Sequence, residues 1–365
     1  MTTILIISPE PWEGQFVSKH HYARELARRG HRVLFHGPPE VTGPMRLVPV
    51  PDAPGDLRVL QTPHVAPGLR FLPAPLRRAC ETRWLGQVEQ LAGGRVDVVW
   101  NFENSRFFDL GFAGRRLKIY QQVDLNQDFY PDIAAATADL TIALSAPIAQ
   151  RLKSAAPGLM RLTHGHAGYP PAGRLPDGVE ASFSDARVNA VMVGNLDIAY
   201  LDVPLLAQLV AEHPDVRFHF IGAYSTGLNL HAATAAAPNV VFWGPQPSHL
   251  LPVFLNRADI LLLAYLAEQH LEQLANPHKM MEYLASGRCV LATRTLDYED
   301  QPDLIEMASD RAHYVQRFTK ITSDPAAWNS PDRVAKRRAF ANKNTYPLQL
   351  NRIEQALGPR GHLIS

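Results

Sequence analysis

The stretch Ala275-Asn276-Pro277-His278-Lys279-Met280-Met281-Glu282-Tyr283-Leu284-Ala285-Ser286-Gly287, followed after Arg288 by the apolar run Cys289-Val290-Leu291-Ala292-Thr293, decides how this chain is read. Asn276 suits an N-cap, Pro277 the first helical position and Gly287 a C-terminal stop, so a helix is predicted between them with a buried strand behind it. Lys279 and Glu282, three residues apart, then share one helix face. A cation and a carboxylate one turn apart near a helix N-terminus suit an anionic nucleotide: Lys279 for a diphosphate, Glu282 for ribose hydroxyls. On spacing alone, a surface ion pair worth about a few tenths of a kcal/mol fits equally well.

Outward from this stretch, the alternation of helix and buried strand repeats. Ile4-Leu5-Ile6-Ile7 is a short apolar run ended by Ser-Pro, the pattern of a parallel strand buried on both faces. A helix over residues 18–29, stopped by Gly30, and a strand at 33–35 complete a βαβ unit. Further strands are predicted at 96–100, 118–120 and 140–144, and a helix at 146–154 with Pro147 in its first turn. Between Gly165 and Gly178 the composition turns to Gly, Pro and Ala, and the domain boundary is expected there. The pattern then restarts with strands at 191–193, 218–221, 240–242 and 260–263 and helices at 204–212 and 248–256. Two helices, 334–341 and 348–357, close the chain. The expected organisation is a first α/β domain over 1–165, a linker over 166–187, a second α/β domain over 188–329, and helices over 330–365 crossing back towards the first.

With 365 residues, of which 46% are hydrophobic and 19% charged, the chain has room for two cores. Its 36 Lys and Arg against 35 Asp and Glu leave a formal charge of +1, so no global field favours nucleic acid. Cys80 and Cys289 are its cysteines, and neither a disulfide framework nor a thiolate metal site is indicated. The N-terminus lacks the pattern of a signal peptide and no stretch is long enough to span a bilayer, so a cytoplasmic protein is expected.

Several stretches taken together resemble bacterial nucleotide-sugar glycosyltransferases of the GT-B fold, of the group 1 or exopolysaccharide type. The donor domain of that family ends in an Asn/Ser-Pro-x-Lys-x-x-Glu-Tyr-Leu-Ala-x-Gly pattern, matched from Asn276 to Gly287. Val193-Gly194-Asn195-Leu196-Asp197 looks like its first donor-domain strand and turn, Phe218-His219-Phe220-Ile221-Gly222 like its second strand, and Val241-Phe242-Trp243-Gly244-Pro245 like its third strand and base-contacting loop. The runs 119–124, 138–140 and 161–165, with Ser145, parallel its approach to the interdomain linker. The resemblance implies two Rossmann-like domains facing across a cleft and a transferase using a nucleoside-diphosphate-sugar donor, with no cofactor and no metal. Gly194, Asn195, Gly244, Pro245, Asn276, Lys279 and Glu282 are the implied donor-binding residues. One departure is clear: many retaining members carry a second glutamate eight residues before the ribose-binding one, and here that position is Leu274, with Glu272 out of register. Donor sugar and stereochemical class stay open.

An acceptor hydroxyl needs a base if the anomeric centre inverts. Asp124, just after the strand 119–123, is the candidate catalytic residue, with a turn-capping role as the bland alternative; Asp128 and Glu103 are weaker candidates. Lys19, His20 and His21 open the first long helix and read chiefly as helix-face residues. His164 and His166 stand without a carboxylate or cysteine at metal-ligand spacing. Residues 57–80 carry Arg58, Arg70, Arg77 and Arg78 with no acidic residue, interleaved with apolar side chains. They read as solvated arginines on a Pro-rich segment, or as a peripheral contact at the inner membrane face for a lipid-linked acceptor. The expected function is transfer of a sugar to a saccharide or lipid-linked saccharide acceptor. A sugar-nucleotide epimerase of the same architecture and a non-catalytic sugar-nucleotide-binding protein are the rivals. A nicotinamide dehydrogenase is disfavoured because Ser8-Pro9-Glu10-Pro11-Trp12-Glu13-Gly14 lacks a Gly-x-Gly-x-x-Gly turn.

Overall fold

The computed structural model describes residues 1–14, 16–39, 43–168, 177–184 and 187–365. The chain divides into two compact units: Met1–Thr163 with Tyr346–Ser365, and His164–Thr345. Most of the sequence boundary at 165–178 lies outside the described residues.

The first unit contains β1 (Thr3–Ile7), α1 (Ser18–Arg28), β2 (Arg32–His36), β3 (Arg46–Pro49), β4 (Leu57–Gln61), α2 (Ala74–Ala92), β5 (Val98–Asn101), β6 (Leu117–Gln122), α3 (Pro131–Thr137), β7 (Leu140–Ala143), α4 (Ala146–Leu152) and β8 (Leu159–Arg161). They form an eight-stranded sheet in the order β3-β4-β2-β1-β5-β6-β7-β8, parallel except for β3 against β4. Every residue of β1 is buried, as its continuous apolar run requires. Pairing of β1 with both β2 and β5 makes it the point at which strand order reverses.

The 19-residue helix α2 is not evident from periodicity. Its buried residues are Arg77, Glu81, Trp84, Leu85, Val88 and Ala92, so charged groups occupy the inward stripe and blur the apolar pattern.

The second unit contains α5 (Val179–Phe183), β9 (Val188–Val193), α6 (Val203–Glu212), β10 (Val216–Ile221), α7 (Asn229–Thr234), β11 (Val240–Gly244), α8 (Leu251–Arg257), β12 (Ile260–Leu263), α9 (Ala267–His270), α10 (Met280–Ser286), β13 (Cys289–Thr293), β14 (Glu306–Ala308), α11 (Arg311–Ser323), α12 (Pro325–Trp328) and α13 (Pro331–Asn342). Its sheet is parallel throughout, in the order β11-β10-β9-β12-β13-β14. Strand order reverses between β9 and β12, and the crevice beyond the C-terminal ends there is where open α/β sheets bind ligands.

The last helix, α14 (Tyr346–Ala356), belongs to the first unit, where Tyr346, Leu350 and Ile353 join Ile4, Tyr22 and Trp100 in one core. The Tyr22 hydroxyl donates to Gln349 Oε1 at 2.5 Å. α13 stays with the second unit, and its fully buried Arg337 donates to the carbonyls of Leu304, Gly287 and Trp328 at 3.0 to 3.2 Å.

Candidate donor site

The helix expected from Pro277 begins at Met280, with Lys279 in the N-cap position. The reason is local. Asn276 does not cap the helix: its Oδ1 accepts the Tyr298 hydroxyl at 3.1 Å. The Pro277 carbonyl accepts Met280 N–H at 3.0 Å, closing a turn, and the first α-helical bond is Tyr283 N–H to the Lys279 carbonyl at 2.9 Å. With seven residues, α10 has little dipole to offer, so Lys279 itself is the cation of the motif. Gly287 ends the helix at φ +81, and a side chain there would press on Val334 and Arg338.

Lys279 Nζ and Glu282 Oε2 lie 3.0 Å apart, with the two side chains 18% and 36% exposed. A partly exposed pair of this kind stabilises the fold by well under about 1 kcal/mol, so a ligand can exchange for it. Tyr283, next in sequence, is fully buried and anchors the pair to the sheet. Its hydroxyl accepts Val193 N–H at 2.8 Å and donates to the Leu262 carbonyl at 3.5 Å, clipping α10 to β9 and β12 where strand order reverses.

Gly194 follows β9 directly, its N–H bonded to the Ile221 carbonyl at 2.9 Å. The turn leaves no room opposite it: a Cβ on Gly222, at φ +139, would sit 1.7 Å from the Gly194 oxygen. Asn195 is exposed, and its Oδ1 accepts Asp197 N–H at 3.0 Å. Hydrogen bonds from Ser225 and Asn229 hold the Asp197 carboxyl below its ordinary range. Gly244 ends β11 at φ +64 and Pro245 is exposed beyond it.

Below that turn lies an anchor that composition does not reveal. Trp243 Nε1 donates to His219 Nδ1 at 3.1 Å, and His219 Nε2 lies 3.0 Å from Asn189 Oδ1, which fixes the neutral tautomer with its proton on Nε2. Phe183 stacks on the His219 ring at 3.8 Å. The signal was the alternation of His219 with Phe218 and Phe220 in a buried strand, where a polar ring needs partners.

Among the remaining candidates, His164 packs its ring 4.1 Å from that of His278, and His166 contacts the Ala341 carbonyl at 3.0 Å. Burial lowers the His166 pKa, against the opposing effects of the Ala341 carbonyl and Glu282. Leu274 is buried, as befits the residue that replaces a glutamate there.

In the first unit, Asp124 is exposed just beyond β6, with its carbonyl accepting from Gln122 Nε2 at 3.1 Å and Gln127 N–H at 3.2 Å. Asp128 pairs with Arg151, and Glu103 with Arg106. Lys19 is buried and paired with Glu10, and His20 Nε2 lies 2.8 Å from the Pro11 carbonyl. These partners hold both residues in the first turn of α1. The arginines of 57–80 are not simply solvated: Arg58 pairs with Asp56, and Arg77 and Arg78 both pair with Asp109, Arg77 being 7% exposed. Sequence distance concealed these acidic partners. Among the described residues no group of three or more His, Cys, Asp or Glu could hold a metal ion, and no helix is long and apolar enough to cross a membrane.

Residues 187–323 match the model of glycosyl transferases group 1. No curated protein matches the chain significantly. Among solved structures, sucrose-phosphate synthase from Thermosynechococcus elongatus aligns at TM-score 0.72 and 13% identity, over 98% of this chain and 99% of that one. The lipopolysaccharide outer core galactosyltransferase WaaB aligns at TM-score 0.67 and 13% identity, over 98% and 99%. Anabaena HepE, solved in complex with UDP and glucose, aligns at TM-score 0.68 and 12% identity, over 97% and 99%. At such identities these likenesses speak for the fold. Two parallel-sheet units of this kind define the GT-B class, and the chain is a glycosyltransferase of that class. Its second unit carries the glycosyl transferases group 1 domain.

Proposed function

We propose that the protein transfers a sugar from a nucleoside diphosphate carrier to a hydroxyl of a saccharide or lipid-linked saccharide. The observation that carries this reading is the clip from Tyr283 to Val193, 2.8 Å long, which sets Lys279 and Glu282 beside the turn at Gly194. In this reading Lys279, Asn276 and the backbone of Gly194 and Asn195 hold the diphosphate, Glu282 the ribose, and the turn at Gly244 and Pro245 the base. Support comes from the group 1 match over these residues and from the UDP and glucose of the Anabaena structure.

The bond from the anomeric carbon to the diphosphate oxygen breaks and its electron pair leaves with the nucleoside diphosphate, while the acceptor oxygen bonds to the same carbon. Asp124 takes the proton of the acceptor hydroxyl. Lys279 balances charge on the leaving diphosphate and needs no metal for that purpose.

Product analysis tests the reading. Asp124→Asn is expected to lose turnover by about a hundredfold or more, the scale of a positioned general base, while still binding donor. Isomerised nucleotide sugar without acceptor would overturn the transferase reading in favour of an epimerase. An unchanged rate in Asp124→Asn would remove Asp124 from the mechanism.

A further inference from the structure

The first unit holds a cavity of about 330 Å³ that the donor chemistry leaves unused. It lies beyond the ends of β2 and β4, between the loop at 62–71, the start of α2 and residues 105–108. Its volume falls within the range of small-molecule sites, about 300–1,000 Å³.

Three residues of its wall are at least nine-tenths buried and carry a polar atom with no hydrogen-bond partner: Thr62 Oγ1, Arg77 Nε and Glu81 Oε2. A buried polar atom left unpaired costs about 1–3 kcal/mol, so three in one wall call for a partner that the chain does not supply. The rest of the lining is largely apolar, with Leu69, Phe107 and Phe108 prominent.

Charge is already balanced here. The Arg77 guanidinium pairs with Asp109 at 2.9 Å and stacks over Phe108 at 4.4 Å, and Arg106 pairs with Glu103 at 3.2 Å. Burial pushes the Glu81 carboxyl up to about 8 and the His36 imidazole down to about 3, so both are predominantly neutral at pH 7. A wall of neutral donors and acceptors among aromatic and aliphatic groups favours an uncharged, hydroxylated ligand with an apolar part.

We propose that this cavity binds an uncharged glycoside, its hydroxyls taken by Thr62, Arg77 and Glu81 and its apolar aglycone by Leu69 and Phe107. Its role as acceptor rests on the transfer reading above; its existence as a site does not. The sugar's hydroxyls replace the missing partners, and the aglycone removes apolar wall from water.

The test is calorimetric titration of the full chain with phenyl β-D-glucopyranoside and, separately, with glucose. The wild type should bind the glycoside at least tenfold more tightly than glucose. Thr62→Val and Glu81→Leu should each weaken glycoside binding about fivefold while leaving UDP binding unchanged. Both substitutions delete an unpaired buried polar atom, so melting temperatures at or above wild type are expected and would exclude unfolding as the cause. Either variant alone carries the test. Failure of the wild type to bind the glycoside, equal binding by both variants, or equal affinity for glucose would overturn the proposal. If the glycoside binds as described while no nucleotide does, the donor reading falls and this site stands.

Discussion

At the residue scale, Lys279 is the most exacting position. Before any fold is known, a Lys and a Glu three residues apart are as consistent with a surface pair as with a nucleotide site. The structure bears out the pairing, at 3.0 Å, and adds the buried Tyr283 that gives the pair its address. Glu81 supplies a separate prediction. Its carboxyl is pushed up to about 8, chiefly by burial and also by Asp109, while Arg77 and Arg78 oppose the rise. The folded chain therefore keeps a proton that the unfolded chain releases above its ordinary value, so stability is full below about pH 4.5 and falls as pH rises towards 8. Urea unfolding should register a loss of roughly a few kcal/mol between pH 5 and pH 9 from this group. Glu81→Gln should flatten that slope.

At the element scale, α10 depends on a single hydroxyl. Tyr283→Phe strands the buried Val193 N–H and should cost about 1–3 kcal/mol in urea unfolding, and nucleotide affinity should fall with it as the helix loses its register on the sheet. Gly222→Ala meets the Gly194 oxygen at 1.7 Å and should destabilise more severely, by about 3 kcal/mol or more, because backbone rather than a mobile side chain must move. Legibility differs between such elements for physical reasons. The strands of both sheets stand out as continuous apolar runs because parallel strands are buried on both faces, as β1 and β12 illustrate. Helix α2 hides because Arg77 and Glu81 occupy its buried stripe, and the partner of Arg77, Asp109, lies 32 residues away. The start of α10 was misplaced because Asn276 and Pro277 obey capping rules that Tyr298, a residue distant in sequence, overrides.

At the scale of the whole molecule, the first unit is discontinuous, closed by α14 after the chain has built the second. Tyr346, Leu350 and Ile353 lie in the core around Tyr22 and Trp100, so ending the chain at residue 345 should expose that core. Tryptophan fluorescence and proteolysis should then report loss of the first unit. An intact first unit in the truncated chain would contradict the assignment of α14. The alternation of strand and helix made a two-domain α/β chain legible, whereas the cavity beside α2 was not, because its walls come from four separate segments.

The central claim is that the stretch from Asn276 to Gly287 holds a nucleoside diphosphate. Its most direct test is calorimetric titration of UDP, GDP, dTDP and ADP into the wild type and Lys279→Ala. One nucleotide should bind the wild type and lose about ten- to a hundredfold in affinity in the variant, the scale of one hydrogen bond to a charged group. Binding of that nucleotide with equal affinity by both proteins, or binding of none by the wild type, would contradict the account.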